Sequence, residues 1–302
     1  MTSEAGAALR PTTSAPITAE TVAYIDIGTN SVRLMVVRFA PDHSWTVLTM
    51  QKETVRLGEG EFSEVRLLQP EAMERAAGVC ARFVELARAH GATRFVTVAT
   101  AATREARNGD EFVRLLHDVA GLSAHVVSGK EEARLIYLGL LGRVHVEDQA
   151  LVIDIGGGST EVAVGDAREA VKVGSIPLGA LRLSSEGPQP DAEGRYTPED
   201  YEALRQRVRV AAQHILRDLD RPGAPAYATS GTAVNLAAVA ARLLHERTPA
   251  RDQPLTRKDL RVVVKRLRSM TSEERRAAPG LAPARADIIV AGAAILETLL
   301  ED

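Results

Sequence analysis

The first half of the chain alternates between two spacings of apolar residues, one typical of strands and the other typical of helices. Between two strand-like runs, Ala-Pro-Asp-His at 40–43 favours a hairpin turn. Pro70 and Gly91 mark the start and the end of a helical stretch. The pattern predicts strands at 23–27, 31–40, 44–57 and 93–100, helices at 70–91 and 101–121, and a short strand, a turn and a helix within 124–142.

The same alternation begins again at residue 150, which indicates a second, related half. Strands that alternate with helices in two successive sets favour an α/β fold of two related lobes. The pattern predicts, in chain order, a strand, a glycine turn and a strand at 150–165, a third strand at 169–183, a proline-rich loop at 184–200, a helix at about 198–220, a strand at 226–230 and a helix at about 232–247.

One short pattern occurs twice, as AYIDIGTNS at 23–31 and as LVIDIGGGST at 151–160. In each copy an apolar run ends in an aspartate, and a glycine turn and a hydroxyl residue follow. The two aspartates, Asp26 and Asp154, lie 128 positions apart. A strand that leads Asp-x-Gly into a tight turn can present a carboxylate and several backbone N–H groups to one phosphate. Two such loops across a cleft would clamp a phosphate, so the duplication predicts phosphoryl chemistry.

Composition is that of an ordinary globular protein. The 302 residues are 45% hydrophobic and 25% charged, which suffices for a sizeable core and suggests two domains. The net charge of −3 gives no reason to expect nucleic acid or a membrane as partner, and one cysteine, Cys80, excludes an internal disulfide framework. Residues 1–20 are rich in Ala, Ser, Thr and Pro and lack a signal-peptide pattern, so we expect a disordered tail and a cytoplasmic protein.

The second glycine loop carries the strongest chemical signal. Three consecutive glycines, Gly156, Gly157 and Gly158, allow close backbone approach to a ligand. A dinucleotide-binding loop would open a helix, whereas the residues that follow here alternate as a strand; an ordinary glycine-rich hairpin is the other alternative. If the segment folds back as a hairpin, Asp154 and Glu161 become neighbours, and paired carboxylates suit Mg²⁺.

Two further segments could hold an anion. In the first loop, Gly28 and Thr29 offer backbone N–H groups, and Asn30 and Ser31 offer side-chain hydrogen bonds. At 230–232, Ser-Gly-Thr closes a strand and opens a helix, where it serves equally well as an anion or nucleotide site or as an ordinary helix cap.

A general base and a phosphate-binding cation also have candidates. Arg104 follows a strand by a few residues, at the edge of the sheet where α/β folds bind ligands, with Arg107 as its local competitor. In Glu131-Glu132, helical spacing places Glu132 on the face of Leu135 and Glu131 on that of Arg134. A carboxylate among apolar groups gains basicity, so Glu132 is the favoured base; acidic residues also simply favour a helix N-terminus.

The motifs together resemble the Ppx/GppA phosphatase family. The resemblance runs from about residue 22 to the end of the chain through DIGTNS, ATAATREARN, SGKEEARLIYLG, DIGGGSTE, PLGALRL, SGTAVNL and GLAPARADIIVAGAAIL. It implies an actin-like fold of two duplicated ribonuclease H-like domains around a central cleft. On this basis we expect domains at 21–128 and 129–302, with the last helix packing back on the first domain.

The resemblance also implies a reaction, namely metal-dependent removal of terminal phosphate from inorganic polyphosphate or from pppGpp. Long members carry an additional helical C-terminal region, and the sequence ends before it, which favours short polyphosphate chains. A sensor that binds polyphosphate or (p)ppGpp without cleaving it is a further alternative. The family also suggests a homodimer, and neither nucleic acid nor a membrane is expected as a partner.

Residue by residue, the family's catalytic glutamate falls on Glu132, and its phosphate-binding arginine falls on Arg104. Its metal-associated acids match Asp154 and Glu161, with Asp26 contributing through water, and the cation would be Mg²⁺ or Mn²⁺. The phosphate-binding loop positions match Gly28, Thr29, Asn30 and Ser31 in one half and Gly156, Gly157, Gly158 and Ser159 in the other, and Gly231 and Thr232 complete the candidate set.

Overall fold

The first half of the protein contains a five-stranded sheet. The computed structural model describes residues 19–60, 66–219, 223–250 and 252–301, without the side chains of 216–219. The strands are β1 (Glu20–Ile27), β2 (Ser31–Phe39), β3 (Trp45–Thr54), β4 (Arg94–Ala99) and β5 (Ala124–Val126). They lie in the order β3-β2-β1-β4-β5; β2 is antiparallel to both β1 and β3, whereas β4 is parallel to β1 and β5 is parallel to β4.

One face of this sheet is covered by helices. The helices of this half are α1 (Pro70–Ala89), α2 (Ala101–Glu105) and α3 (Gly109–Ala120). Helix α1 begins with its proline in the first turn, where a missing N–H leaves no hydrogen bond unmade, and buries Cys80 and Phe83 against the sheet. Cys80 is thus a small core residue, as its place in a helical stretch suggests.

The prediction of a single helix at 101–121 is wrong, because two helices, α2 and α3, occupy that stretch. Ala106 is extended and ends α2. The side chain of Asn108 then accepts a hydrogen bond from the N–H of Leu68 at 2.9 Å and donates one to its carbonyl at 3.0 Å. This exchange with a distant segment fixes the turn between α2 and α3, and helical spacing alone does not reveal it.

The second half repeats the arrangement of the first with four strands. These are β6 (Ala150–Ile155), β7 (Thr160–Gly165), β8 (Ala170–Ile176) and β9 (Ala226–Thr229). Their order is β8-β7-β6-β9, in which three antiparallel neighbours are followed by a parallel strand, as in β3-β2-β1-β4. The duplication inferred from two loops therefore extends to the sheets that carry them.

Helices surround the second sheet. Helix α4 (Gly129–Leu141) packs on β6, β7 and β8, and α5 to α8 enclose a core together with the C-terminal helix. The remaining elements are α5 (Ala180–Glu186), α6 (Pro198–Leu219), α7 (Ser230–His245), α8 (Arg257–Ser269), α9 (Ser272–Arg276), a 3₁₀ turn (Pro283–Arg285) and α10 (Ile289–Glu301).

The third strand that the sequence predicts in this half, at 169–183, extends seven residues beyond the observed end of the strand. Strand β8 ends at Ile176, and the segment from Ala180 onward is helix α5. Pro177 has no N–H to continue a sheet ladder. The first N–H groups of α5 instead donate to carbonyls of the second glycine loop, a tertiary contact that overrides the strand-like spacing.

The C-terminal helix α10 lies in the core of the second half. It packs on α5, α6, α7 and α8, so the expectation that it packs back on the first domain is wrong. Of the predicted N-terminal tail at 1–20, residues 1–18 lie outside the described residues, and Glu20 already belongs to β1. In the part of the chain that the structure describes, no helix has the length and apolar character to cross a membrane.

Arg275 offers a test of how the C-terminal segment is held. Its side chain is only 2% exposed and donates to the carbonyls of Ala286, Leu267 and Met270. We expect Arg275→Ala to lower the free energy of unfolding by about 3–5 kcal/mol, because three buried acceptors lose a charged donor. Urea unfolding measures this, with Arg276→Ala, the exposed neighbour, expected to change it by less than about 0.5 kcal/mol. Equal effects of the two variants would contradict this account.

Candidate active site

The two glycine loops have the same backbone geometry. In the first, the N–H of Gly28 donates to the carbonyl of Ser31 at 3.1 Å; in the second, the N–H of Gly156 donates to the carbonyl of Ser159 at 3.0 Å. Each bond closes a tight turn between two antiparallel strands, β1 and β2 or β6 and β7. The hairpin predicted for the second loop, with a strand after the glycines, is confirmed.

The loops touch each other across the boundary between the halves. A Cβ added to Gly157 would stand 3.0 Å from Cβ of Thr29, and one added to Gly158 would stand 2.8 Å from Oγ1 of Thr29 and 3.1 Å from Cβ of Ala101. All three distances are shorter than ordinary van der Waals contacts, so side chains at these positions would push the loops apart. Glycine is required here for close approach of one half to the other.

A cleft of about 480 Å³ lies between the halves, with the two loops at its base. Its lining includes every predicted residue of the two loops and the four predicted acids, which are Asp26, Glu132, Asp154 and Glu161. Apolar side chains, among them Met35, Val98, Leu135 and Ile136, form part of its wall. The polar residues and glycines of the lining are Asp26, Gly28, Thr29, Asn30, Ser31, Arg33, Thr100, Glu132, Asp154, Gly156, Gly157, Gly158, Ser159, Glu161, Ser230 and Arg285.

Glu132 enters the cleft from the first turn of α4. Ser128 caps this helix by accepting the N–H of Glu131, whose own carboxylate pairs with Arg134 at the surface, as predicted. The carboxylate of Glu132 turns inward and is 18% exposed. Arg104 donates to it at 3.0 Å and also to the carbonyl of Val127 at 3.0 Å. Arg104 thus reaches the cleft through Glu132, and it is not among the lining residues.

Burial raises the pKa of Glu132 to about 7, against the opposing effect of the Arg104 guanidinium; the charges of Asp154 and Asp26 add to the rise. A carboxyl with this pKa is ionised and protonated in comparable amounts near neutral pH. That is the property required of a group that takes up a proton during a reaction.

Two other acids face each other across the second hairpin. Asp154 and Glu161 are register partners of β6 and β7, so the predicted adjacency is confirmed. Ser175 donates to Glu161 at 2.7 Å, and Glu161 is only 2% exposed. Burial raises the pKa of Asp154 and, further, that of Glu161, where the charge of Glu132 adds to it.

These acids fit a hard divalent cation. Oδ1 of Asp154 is buried without a hydrogen-bond partner, and carboxylate oxygens are ligands that Mg²⁺ and Mn²⁺ prefer. Among the described residues, no group of three or more acids, histidines or cysteines stands close enough to form a protein-only ligand set. Magnesium commonly takes one or two carboxylates and completes its shell with water and phosphate oxygens, so the donors present suffice.

The sequence analysis missed two arginines in the cleft, Arg33 and Arg285. Arg33 donates to Asp26 at 3.3 Å and to the hydroxyl of Ser230 at 3.4 Å, which joins the two halves. Arg33 is one of two arginines on the largely apolar strand β2, and its place opposite Asp26 in the hairpin is the signal that could have identified it. Arg285 comes from the 3₁₀ turn near the C-terminus, and no local pattern identifies it.

Gly231 and Thr232 lie behind the cleft and do not line it. Gly231 sits under the guanidinium of Arg285, where a side chain would have no room. Thr232 is buried against Gly292 of α10. In the predicted Ser-Gly-Thr segment, Ser230 alone lines the cleft, and it does so with a backbone φ of 69°, an uncommon value for a residue with a side chain.

Comparison with known proteins identifies the family. The model of the Ppx/GppA phosphatase family matches residues 35–302. Exopolyphosphatase 2 of Mycobacterium tuberculosis is 32% identical over 292 residues, which cover 93% of this chain and 90% of that protein. The chain belongs to the Ppx/GppA phosphatase family. The resemblance that the motifs suggested is therefore confirmed.

Solved structures of Ppx/GppA proteins show the same fold. An exopolyphosphatase from Cytophaga hutchinsonii superposes with a TM-score of 0.83 at 24% identity, over 93% of this chain and 90% of that chain. The Ppx/GppA family member of Aquifex aeolicus gives a TM-score of 0.74 at 26% identity, over 94% and 90%. The expected α/β fold of two duplicated halves around a central cleft is confirmed.

The contact between the loops can be tested with Gly158→Ala. We expect binding of tripolyphosphate to weaken at least about tenfold, because the new methyl group forces Thr29 and Ala101 away and misplaces the loop N–H groups. Isothermal titration calorimetry measures the affinity. Gly139→Ala is the control, since a Cβ there meets nothing within 4 Å and improves α4 by about 0.5–1 kcal/mol. Unchanged affinity in Gly158→Ala would contradict a phosphate role for this loop.

The raised pKa of Glu132 has a consequence for stability. Between its unfolded pKa of about 4.3 and its folded pKa of about 7, the folded state binds more protons, so this residue lowers stability as pH rises through that window. Glu132→Gln cannot ionise. We expect the free energy of unfolding of this variant, relative to wild type, to rise by about 2–3 kcal/mol between pH 5 and pH 8. Urea unfolding of the ligand-free proteins measures the difference, and a pH-independent gap would refute the pKa assignment.

Proposed function

We propose that the protein is an exopolyphosphatase that releases orthophosphate from the end of inorganic polyphosphate, with water as the nucleophile. The observation that carries the proposal is the convergence in one cleft of two phosphate-type glycine loops and a carboxyl, Glu132, with a pKa near 7. The relatives named exopolyphosphatase support the choice of substrate. Short chains are the preferred substrates in this proposal.

In the proposed mechanism, Glu132 removes a proton from a water molecule aligned with the terminal phosphoanhydride. Arg104 donates a 3.0 Å hydrogen bond to the carboxylate of Glu132. This bond fixes the orientation in which the carboxylate accepts the proton from water. Backbone N–H groups of both loops bind the oxygens of the transferred phosphoryl group. Positioning and charge stabilisation of this kind are the main protein contributions to phosphoryl transfer.

A divalent cation, Mg²⁺ or Mn²⁺, belongs to this proposal. Asp154 and Glu161 would hold it, with Asp26 acting through water, and when bound it would offset negative charge on the phosphoryl oxygens. Four carboxylates border the cleft, so an anionic substrate would meet strong repulsion without such a cation or bound protons. Arg33 and Arg285 are the positively charged side chains that the protein itself contributes to the cleft lining.

The proposal divides the chain into domains at 21–128 and 129–302, with a hinge near residues 128–132 that lets the cleft close on substrate. Helix α4 supports this division, since its packing partners lie in the second sheet. A homodimer in the cytoplasm is expected from the family, and the mechanism requires neither property.

The other reaction of the family, hydrolysis of pppGpp at its 5′ end, uses the same residues. The apolar wall that includes Met35, Val98 and Leu135 would give a nucleoside a surface to lie on. A sensor without catalysis would have no use for a carboxylate of raised pKa beside the loops. These alternatives differ in which phosphate compound, if any, is cleaved.

The decisive experiment compares Glu132→Gln and Glu132→Ala with wild type in phosphate release from tripolyphosphate, long-chain polyphosphate and pppGpp, with magnesium present. We expect turnover on polyphosphate to fall by about 10²–10⁴, the usual contribution of a general base. Glu131→Gln is the matched control, because its side chain pairs with Arg134 at the surface, and it should keep wild-type turnover.

Near-normal turnover in the Glu132 variants would overturn the assignment of the base. Release from pppGpp alone would establish the nucleotide reaction in place of the polyphosphate reaction. Binding of tripolyphosphate without any release by the wild type would establish a sensor.

A further inference from the structure

Helix α5 is attached directly to the second glycine loop. The N–H groups of Ala180, Leu181 and Arg182 donate to the carbonyls of Gly156 and Gly157 at 2.9–3.0 Å. Gly179 lies so close to Gly157 that a Cβ there would stand 2.5 Å from its carbonyl carbon. Because the carbonyls of the loop are fixed by α5, the position of α5 determines where the loop N–H groups point.

The side chain of Arg182 reaches from α5 into the first half. It is 6% exposed and donates to the carbonyl of Pro177 at 2.6 Å and to Oε2 of Glu105 at 2.5 Å. Its Nε also lies 4.0 Å from Glu186 in the next turn of α5. The bond to Glu105 spans 77 residues of sequence and crosses between the halves.

Glu105 is the residue after Arg104 on the five-residue helix α2. Arg104 in turn donates to Glu132 at 3.0 Å. A continuous set of contacts thus runs from the carbonyl of Gly157, through Arg182 and Glu105, to Arg104 and Glu132. One end of this set binds phosphate in the proposed function, and the other end accepts the proton.

We propose that the Arg182–Glu105 ion pair is a positioning pair that sets the second glycine loop at the correct distance from Arg104 and Glu132. This inference rests on the proposed function. Neither side chain lines the cleft, so the pair acts through the groups that it holds. A displacement of about 1 Å in such a constellation can reduce turnover by about 10²-fold, which makes a short, buried contact between the halves suited to this role.

A second ion pair in the molecule provides a matched control. Arg205 of α6 donates to Glu301 of α10 at 2.6 Å, and both side chains are largely buried. This pair lies within the second half and does not line the cleft. Breaking either pair should destabilise the protein, whereas only the Arg182–Glu105 pair should affect catalysis.

The test uses Arg182→Met, Glu105→Ala, the double variant and the exchanged pair Arg182→Glu with Glu105→Arg, beside Arg205→Met. Phosphate release from tripolyphosphate gives kcat and KM, and urea unfolding gives stability. We expect each single variant to lower kcat by about 10–100-fold, a larger factor than any rise in KM. The double variant should be no worse than the poorer single, the exchanged pair should recover part of kcat, and Arg205→Met should stay within about twofold of wild type.

Some results would overturn the inference. One is a kcat within twofold of wild type in every folded variant of the pair; another is an equal loss in Arg205→Met. Glu105→Ala removes the less buried partner, so it provides a folded variant if Arg182→Met does not fold.

A wild type that releases no phosphate would refute the proposed function. The positioning role of the Arg182–Glu105 pair would then be tested separately, by hydrogen exchange. Hydrogen exchange at residues 156–159 should then be faster in Arg182→Met than in Arg205→Met. Equal exchange would reject the positioning role by itself.

Discussion

The contact between the two glycine loops is the constraint on which the arrangement of the cleft depends. Gly157 and Gly158 leave no space for a side chain beside Thr29, and Gly179 leaves none beside Gly157. The second loop can lie this close to the side chain of Thr29, and Gly179 this close to the backbone of Gly157, only because these glycines have no Cβ. The two loops are therefore in direct contact, and α5 holds the second loop through hydrogen bonds to its carbonyl groups.

Around this contact the protein keeps several acids partly or fully away from water. The free energy needed to ionise Glu132, Asp154 and Glu161 in such surroundings is offset only in part by Arg104, Arg33 and Ser175. Oδ1 of Asp154 is in addition buried without a hydrogen-bond partner from the protein. Such stored destabilisation is common where a site is built to receive a ligand rather than to strengthen the fold.

Much of this arrangement could be predicted from the sequence, because strand period, glycine turns and the repeat of Asp-x-Gly are local signals. The inward side of Glu132 followed from helical spacing. Helix α5 was missed since its N–H groups bind loop carbonyls that lie more than twenty residues earlier in the chain. Arg285 enters the cleft from a 3₁₀ turn whose position depends on the packing of the C-terminal segment, and no spacing rule carries that information.

The two hairpins differ in charge at an equivalent position beside the cleft. Across from Asp26 the register partner is Arg33, whereas across from Asp154 it is Glu161. The backbone of the two halves is therefore nearly symmetric, but the side chains are not. One wall of the cleft presents the guanidinium of Arg33 where the other presents the carboxyl group of Glu161, so the charge distribution across the cleft is asymmetric.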